Sequence, residues 1–385
     1  MSGDVTVRAA ELTALISEMV RLGGSHEDEC RIVSEHLVGA NLSGHDSHGV
    51  GIFQAYVNNL QRGLLAPNVS AKRYLDEGVF LQYDGQKGYG QSVAAEVTEH
   101  AITRARAIGI CVATLKNSHH IGRVGTYAEM IAAAGFVSIH FTNVTDHHTM
   151  VAPFRGAESR FGTNPITMAM PTSNPEEPII LDMATSVVAM GKVRVANDSG
   201  KTVPEEWLID SEGQPSSDPG VMFNDPLGAL QPFAEHKGYA LCLMAELMSG
   251  ALSGGGTIQP GNERLDGIIN TMTMIIMDPH RLGDAPPIRR NLCWCRVTQS
   301  ASPARSAVRM ASSYPRGHGC CCWRRERSSA LIVQGRWRLP DWPSRHPEFP
   351  PGAPSGVRLT TSQPRARRRE GTARLAHRLR VCGPR

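Results

Sequence analysis

The sequence predicts an α/β fold that opens with a helical section. Apolar residues recur at helical spacing over residues 8–60. From about residue 78 the pattern changes to short β-branched runs alternating with alanine-rich helical stretches, the signature of a sheet flanked by helices.

In the helical section, Leu12, Leu15, Ile16, Met19 and Val20 line one face of a first helix that stops at Gly23-Gly24. Ser25 with Asp28 has the spacing of a capping box, opening a second helix with Ile32, Val33, Leu37 and Val38. A third helix carries Ile52, Phe53, Tyr56, Val57 and Leu60 and ends near Gly63. Between the second and third lies Gly44-His45-Asp46-Ser47-His48-Gly49-Val50, a polar turn flanked by glycines.

The α/β part begins with a strand at Val79 to Tyr83, ended by Asp84-Gly85. A helix from Ser92 to Ile108 follows, then a β-branched strand from Ile110 to Leu115. His120 to Ala134 reads as a helix. Phe136 to Thr142, Ile166 to Met170 and Pro178 to Leu181 read as strands. Residues 197–232 are rich in Asp, Pro, Ser and Gly and read as a long irregular connection. His236 to Leu252 is an apolar helix closed by Gly254-Gly255-Gly256, and Thr271 to Met277 alternates as a strand before Asp278-Pro279.

Charge divides the chain. Residues 1–287 carry 19 basic and 32 acidic side chains, net −13; residues 288–385 carry 21 arginines, no lysine and 4 acids, net +17. Cys30, Cys111 and Cys242 lie in the first part and six cysteines in the second, so the first part shows no disulfide framework. There is no run of 18 apolar residues and no basic start with an apolar signal core. The expectation is a soluble, cytoplasmic protein with no membrane partner.

The chemistry is expected in the polar segments at strand ends and helix starts. A histidine beside a serine, as at Ser47-His48, can give or take the proton of an oxygen as hydride moves at the attached carbon. Against this stands a plain helix-connecting turn. Lys116-Asn117-Ser118-His119-His120-Ile121-Gly122 follows a strand and opens a helix, the place where α/β folds bind anions on helix N–H groups. The plainer alternative makes Ser118 a helix cap with two surface histidines. Phe161-Gly162-Thr163-Asn164-Pro165 and Asp182-Met183-Ala184-Thr185-Ser186 sit in comparable positions. Asp182 is of the type that orients a histidine or holds a ribose hydroxyl. In His236-Lys237-Gly238-Tyr239 a lysine opposes the helix dipole, which points to a bound anion.

Other patterns are excluded. Gly85-Gln86-Lys87-Gly88-Tyr89-Gly90 is G-x-x-G-x-G, not a dinucleotide fingerprint, and no P-loop occurs. Asp146, His147 and His148 lack H-x-x-x-H or paired C-x-x-C spacing, so no metal site is expected.

In series, Gly44 to Val50, Lys116 to Tyr127, Phe161 to Pro165, Asp182 to Ser186 with Gly191-Lys192, His236 to Tyr239 and Met274 to Pro279 resemble the NAD(P)-dependent malate/L-lactate dehydrogenase-type oxidoreductase family. Relatives there include ureidoglycolate dehydrogenase, diketogulonate reductase and piperideine-carboxylate reductase. The resemblance covers about residues 8–287. It implies a non-Rossmann malate/L-lactate dehydrogenase-type fold and a homodimer. It also implies hydride transfer between NAD or NADP and C2 of a small 2-hydroxy or 2-oxo acid. His48 then resembles the proton donor, with Ser47 and Asp182 as relay partners and His120 as a second catalytic or substrate-facing histidine. His120, Gly122, Arg123, Thr163, Asn164, Asp182, Met183, Ala184, His236 and Lys237 resemble cofactor contacts. Many relatives carry an arginine a few residues after the Ser-His pair; here Gly51-Ile52-Phe53-Gln54-Ala55 stands there, so either the substrate clamp comes from elsewhere, with Arg123 as the candidate, or the acid preference is altered.

The expected organisation is therefore an oxidoreductase domain over residues 1–287 (helical over 1–75, α/β over 76–287) and a tail over 288–385. The tail turns abruptly to Arg, Pro, Ser, Cys and Trp, holds four of the five tryptophans and keeps no structural period. A GC-rich gene read out of frame yields that composition, and the tail is expected to be disordered. A basic nucleic-acid arm and a cysteine-rich metal module are the weaker readings. A relative that keeps the fold but, without the family's C-terminal cofactor contact, only binds is the competing functional class.

Overall fold

A computed structural model describes residues 6–259 and 261–283 and the backbone of 330–332. In chain order the elements are β1 (Thr6–Arg8), α1 (Ala9–Leu22), α2 (Glu27–Leu42), α3 (Phe53–Gln61), β2 (Lys72–Glu77), β3 (Phe80–Asp84), α4 (Gly90–Ile108), β4 (Ile110–Ser118), α5 (Gly125–Ala133) and β5 (Val137–Val144). Then come β6 (Ile166–Met170), β7 (Ile179–Met183), α6 (Met190–Asp198), β8 (Leu208–Ile209), β9 (Pro215–Ser216), β10 (Ala229–Leu230), α7 (His236–Glu246), β11 (Asn270–Met277) and β12 (Ala330–Ile332). The expectations for the tail fall outside the described residues, except that β12 pairs antiparallel with β1.

The main sheet runs β2-β3-β4-β11-β5-β6-β7. Within it β3 and β4 are parallel, joined by α4, and the other neighbours are antiparallel. A Rossmann sheet is parallel throughout its core, so this fold is of another kind, as expected from the missing fingerprint. β11 inserts between β4 and β5.

Two apolar cores hold the site from either side. α4 and α5 bury Val93, Val97, Ala101, Tyr127 and Ile131 against Leu81, Tyr83, Leu115, Met272, Met274 and Ile276 of the sheet. Each such Val, Leu or Ile contributes roughly 1.5–3 kcal/mol by leaving water. The N-terminal helices form the second core from Leu12, Ile16, Val20, Val33, Leu37, Phe53 and Tyr56.

Four expectations are corrected. The capping box at Ser25 does not form: α2 starts at Glu27, its N-cap His26 makes no side-chain cap, and the His26 N–H donates to Asn68 Oδ1 at 2.6 Å. Glu27, Asp28 and Glu29 in the first turn favour the helix dipole instead. The helix expected from His120 begins at Gly125: residues 119–124 hold no regular structure, Gly122 takes a φ of 71°, and the Arg123 N–H is bonded to His36 of α2. The connection at 197–232 contains the small sheet β10-β8-β9 and short 3-10 turns. Finally, β2 stands where the sequence shows no strand pattern. Its residues Lys72 to Glu77 are charged or exposed along nearly their whole length, so the strand has no apolar face to betray it.

Candidate active site

β4, α3 and the turn after α2 bring the site together. The Asp46–His48 stretch is a 3-10 turn whose Asp46 Oδ1 accepts from Asn41 Nδ2 at 2.7 Å, while Asn41 Oδ1 accepts the Val50 N–H at 2.9 Å. Asn41 thus ties both ends of the turn to α2 and aims His48 inward. The strand β4 ends at Ser118 and delivers His119 and His120. Gly90, the first residue of α4, lies against them so closely that a Cβ there would sit 2.3 Å from both of their carbonyl oxygens.

His48 and His120 meet. Their rings stack with centroids 5.4 Å apart, and His48 Nδ1 lies 3.3 Å from His120 Nε2. His120 Nδ1 is 2.6 Å from the Tyr56 hydroxyl, which accepts from Gln91 Nε2 at 2.7 Å. Tyr56, Gln91 and His120 are buried and His48 is half-buried. His48 Nε2 has no hydrogen-bond partner among the described residues, and it is not one of the buried orphan atoms: it is the open end of the series. Burial pushes the His48 pKa down to about 4, with repulsion from His45 added and Asp182 pulling the other way. His120 is lowered as well, first by burial and then by His48, and burial raises the Tyr56 hydroxyl well above its usual range.

His119 points elsewhere. Its Nε2 accepts from Asn59 Nδ2 at 3.0 Å, and burial brings its pKa to about 3.

Asp182 does not hydrogen-bond His48. Its Oδ2 accepts the Gly125 N–H at 3.0 Å, at the start of α5, and its Oδ1 accepts the Thr167 hydroxyl at 2.8 Å. Arg123 Nε stands 3.7 Å from the same carboxylate. The N-terminus of α5 is therefore taken by the protein's own anion rather than left for a ligand. Asp182 reaches His48 as a field, not as a hydrogen-bonded relay partner. Arg123 is likewise spent: its two Nη atoms donate to Glu129 at 2.7 and 3.0 Å, it is buried, and its backbone N–H donates to His36. The end-on fork of the guanidinium is taken by Glu129, and its Nε, buried without a hydrogen-bond partner, faces Asp182, so in this structure Arg123 serves two acids of the protein itself. Ser47 is packed by the start of α6, where a Cβ on Gly191 would come within 2.7 Å of the Ser47 Cβ. Lys192, next in sequence, is exposed and its charge is felt at His45.

The remaining expected contacts spread along the strand ends. Gly122 touches the His36 ring. Asn164, buried, donates to Glu246 Oε2 at 2.7 Å and to the Cys242 carbonyl at 3.2 Å, leaving its Oδ1 buried without a partner. The Thr163 carbonyl accepts from Thr185 Oγ1 at 3.0 Å. Met183 ends β7 and Ala184 follows it, both half-buried. His236 and Lys237 open α7 and are exposed, the His236 ring 5.7 Å from Phe154. A half-open cleft of about 430 Å³ lies beside Phe161, which leads into Thr163-Asn164, and is bordered by Arg160 and Arg264. No hydrogen bond or ion pair among the described residues joins His236 or Lys237 to His48.

Tyr56, Gln91, Asn59 and Asn270 were not singled out in the sequence. Tyr56 counts there as one apolar residue on a helix face. The available signal is that a buried tyrosine hydroxyl needs a partner. Asn270 braces the histidine segment: its Oδ1 accepts the Ile121 N–H at 3.0 Å and its Nδ2 donates to the Asn143 carbonyl at 2.9 Å.

Among the described residues no cluster of His, Cys, Asp or Glu could hold a metal ion, and no helix is long and apolar enough to cross a membrane.

The profile of the family described as malate/L-lactate dehydrogenase matches residues 7–312, reaching past residue 287 into the segment read as tail. Hydroxycarboxylate dehydrogenase B of Escherichia coli (strain K12) is 47% identical over 277 residues, covering 71% of this chain and 76% of that protein. L-lactate dehydrogenase of Cupriavidus necator is 44% identical, over 64% of this chain and 71% of its own. The solved structure of malate dehydrogenase from Pyrococcus horikoshii superposes with a TM-score of 0.62 at 33% identity, covering 72% of this chain and 77% of that one. Delta1-piperideine-2-carboxylate reductase from Pseudomonas syringae gives 0.66 at 27% identity, over 73% and 84%.

Proposed function

The chain belongs to the malate/L-lactate dehydrogenase family, and from that premise we propose that it moves hydride between NAD or NADP and C2 of a small 2-hydroxy or 2-oxo acid. The observation that carries the reading is the hydrogen-bonded series Gln91–Tyr56–His120–His48, buried at one end and open at His48 Nε2. His48 gives a proton to the substrate oxygen on reduction and takes it back on oxidation. In the free chain burial keeps this ring neutral. The carboxylate of an arriving acid adds an opposite charge and favours the protonated ring.

The residues present fit a nicotinamide dinucleotide. Asn164 Oδ1 is a buried acceptor without a partner, suited to an amide N–H, and Lys237 adds a cation at the exposed start of α7, suited to pyrophosphate. When bound, the cofactor supplies or accepts the hydride. Thr163, Met183, Ala184, Gly122 and His236 are proposed to line its site, together with the backbone of His120. Lys192 rather than Arg123 is proposed to hold the substrate carboxylate, since it is exposed and lies next to the residue packed on Ser47. Asp182 is proposed to set the local field and the position of α5.

The proposed assembly is a homodimer. Met168 and Met170 of β6 lie directly opposite Leu181 and Ile179 of β7, and all four are exposed, an apolar patch on the outer end of the sheet.

The test is oxidation of NADH and NADPH by the full chain with a panel of 2-oxo acids (pyruvate-like, oxaloacetate-like and longer), read as loss of the reduced cofactor's absorbance. Turnover with at least one acid is expected. No turnover with any, together with no cofactor binding by calorimetry, overturns the reading.

A further inference from the structure

The hydrogen bonds behind His48 have a direction, and it is set at their inner end. Gln91 is fully buried, with its Nε2 donating to the Tyr56 oxygen and its Oε1 left without a partner, so the direction follows from this one orientation of the amide. An amide nitrogen only donates, so that oxygen receives there and must place its own proton on its other partner, His120 Nδ1 at 2.6 Å. A neutral imidazole whose Nδ1 accepts carries its proton on Nε2. His120 Nε2 faces His48 Nδ1, which therefore accepts in turn. The His48 proton is left on Nε2, the atom at the open end.

The geometry points to Tyr56, braced by Gln91, as the positioning residue that locks His120 in its Nε2–H tautomer and thereby presents His48 as an Nε2–H donor in the free chain. Tyr56 touches no reacting atom and acts through His120. The inference rests on the reading of His48 as the proton-transferring group, but its structural content can be read without substrate or cofactor.

The neighbouring residue provides an internal contrast. His119 Nε2 accepts from Asn59 Nδ2, whose amide also donates to the Asp266 carbonyl at 3.2 Å. By the same reasoning the proton of His119 sits on Nδ1. Two consecutive histidines are held in opposite tautomers, one by a phenol and one by an amide. A local backbone effect would not separate them in this way.

The experiment is long-range proton–nitrogen correlation NMR on the full chain labelled with ¹⁵N-histidine, at neutral pH and without ligands. His119 and His120 are assigned by single His→Gln replacements. The expected spectrum shows His120 protonated at Nε2 and bare at Nδ1, and His119 the reverse. In Tyr56→Phe the His120 signals move toward the average of the two tautomers, while those of His119 stay in place. A wild-type His120 protonated at Nδ1 overturns the inference without any variant, and so does a Tyr56→Phe spectrum in which His120 is unmoved. Absence of turnover alongside the expected tautomers would count against the proposed reaction and leave the tautomer assignment standing.

Discussion

The His36 ring on α2 accepts the backbone N–H of Arg123 at 2.9 Å, and Gly122 lies directly against the same ring. This contact pins the irregular segment that carries His120 to the N-terminal helices. A Cβ on Gly122 would stand 2.4 Å from His36 Nε2, at a φ of 71° that side chains rarely adopt. Gly122→Ala is therefore expected to cost about 1–3 kcal/mol of stability. Urea unfolding measures it, and a midpoint equal to wild type would refute the contact.

Because His36 accepts, it must be neutral, and it is not alone. Burial lowers the pKa of His36 and His119 to about 3 and of His140 to about 4. An unfolded histidine takes up its proton near pH 6.5, so below that value protons favour the unfolded chain. Stability is full above about pH 6.5 and falls as pH drops toward the folded pKa values, by about 1.4 kcal/mol per ring for each pH unit. Three rings would consume a typical 5–15 kcal/mol within a few units. Acid unfolding followed by far-UV circular dichroism is expected to begin near pH 6 and to be cooperative. Removing one ring, as in His140→Gln, is expected to make the transition less steep in pH.

His48→Ala is expected to lower turnover by about two orders of magnitude or more, the usual cost of losing a general acid. Cofactor affinity should change little, because the ring is placed on the substrate oxygen. Steady-state rates and cofactor titration separate the two effects, and unchanged turnover removes His48 from its role.

Arg123 and Lys192 should respond differently. Arg123→Ala leaves Glu129 and the half-buried Asp182 without their cation, and is expected to destabilise by roughly 3–5 kcal/mol. Lys192→Met removes an exposed charge and should leave thermal unfolding close to wild type, while KM for the 2-oxo acid rises about tenfold or more. A KM unchanged in Lys192→Met would move the carboxylate site elsewhere.

The apolar pairs Met168–Leu181 and Met170–Ile179 make a prediction about assembly. The double variant Ile179→Lys with Leu181→Lys should shift the protein from dimer to monomer in sedimentation equilibrium. A wild-type chain that sediments as a monomer contradicts the proposed homodimer.

Much of the architecture was legible in the chain. The apolar, β-branched runs at Val79 to Tyr83, Ile110 to Leu115, Ile166 to Met170 and Thr271 to Met277 lie within a residue or a few of β3, β4, β6 and β11, because each strand turns at least one face to the core and cannot hide that composition. β2 was invisible for the opposite reason, being an exposed edge. The start of α5 is hidden because residues 119–124 have a helical composition but are held out of a helix by His36 and Asn270, which lie 87 and 149 positions from the residues they bind. In the site, His48 and His120 stood out as histidines at strand and helix ends. Their partner Tyr56 is concealed in an apolar pattern, and no local spacing announces that Asp182 binds Gly125 and Thr167 and faces Arg123.

The sequence by itself determined the class of fold, the family and the residue types able to transfer a proton, since these depend on periodicity and on short motifs in order. Only the tertiary structure decided which groups meet. It brought His48 against His120, turned Asp182 and Arg123 toward each other, and put a buried tyrosine behind the histidines. Hydrogen-bond direction and the competition among charges for partners are set by distances between elements far apart in the chain, and no local spacing encodes them.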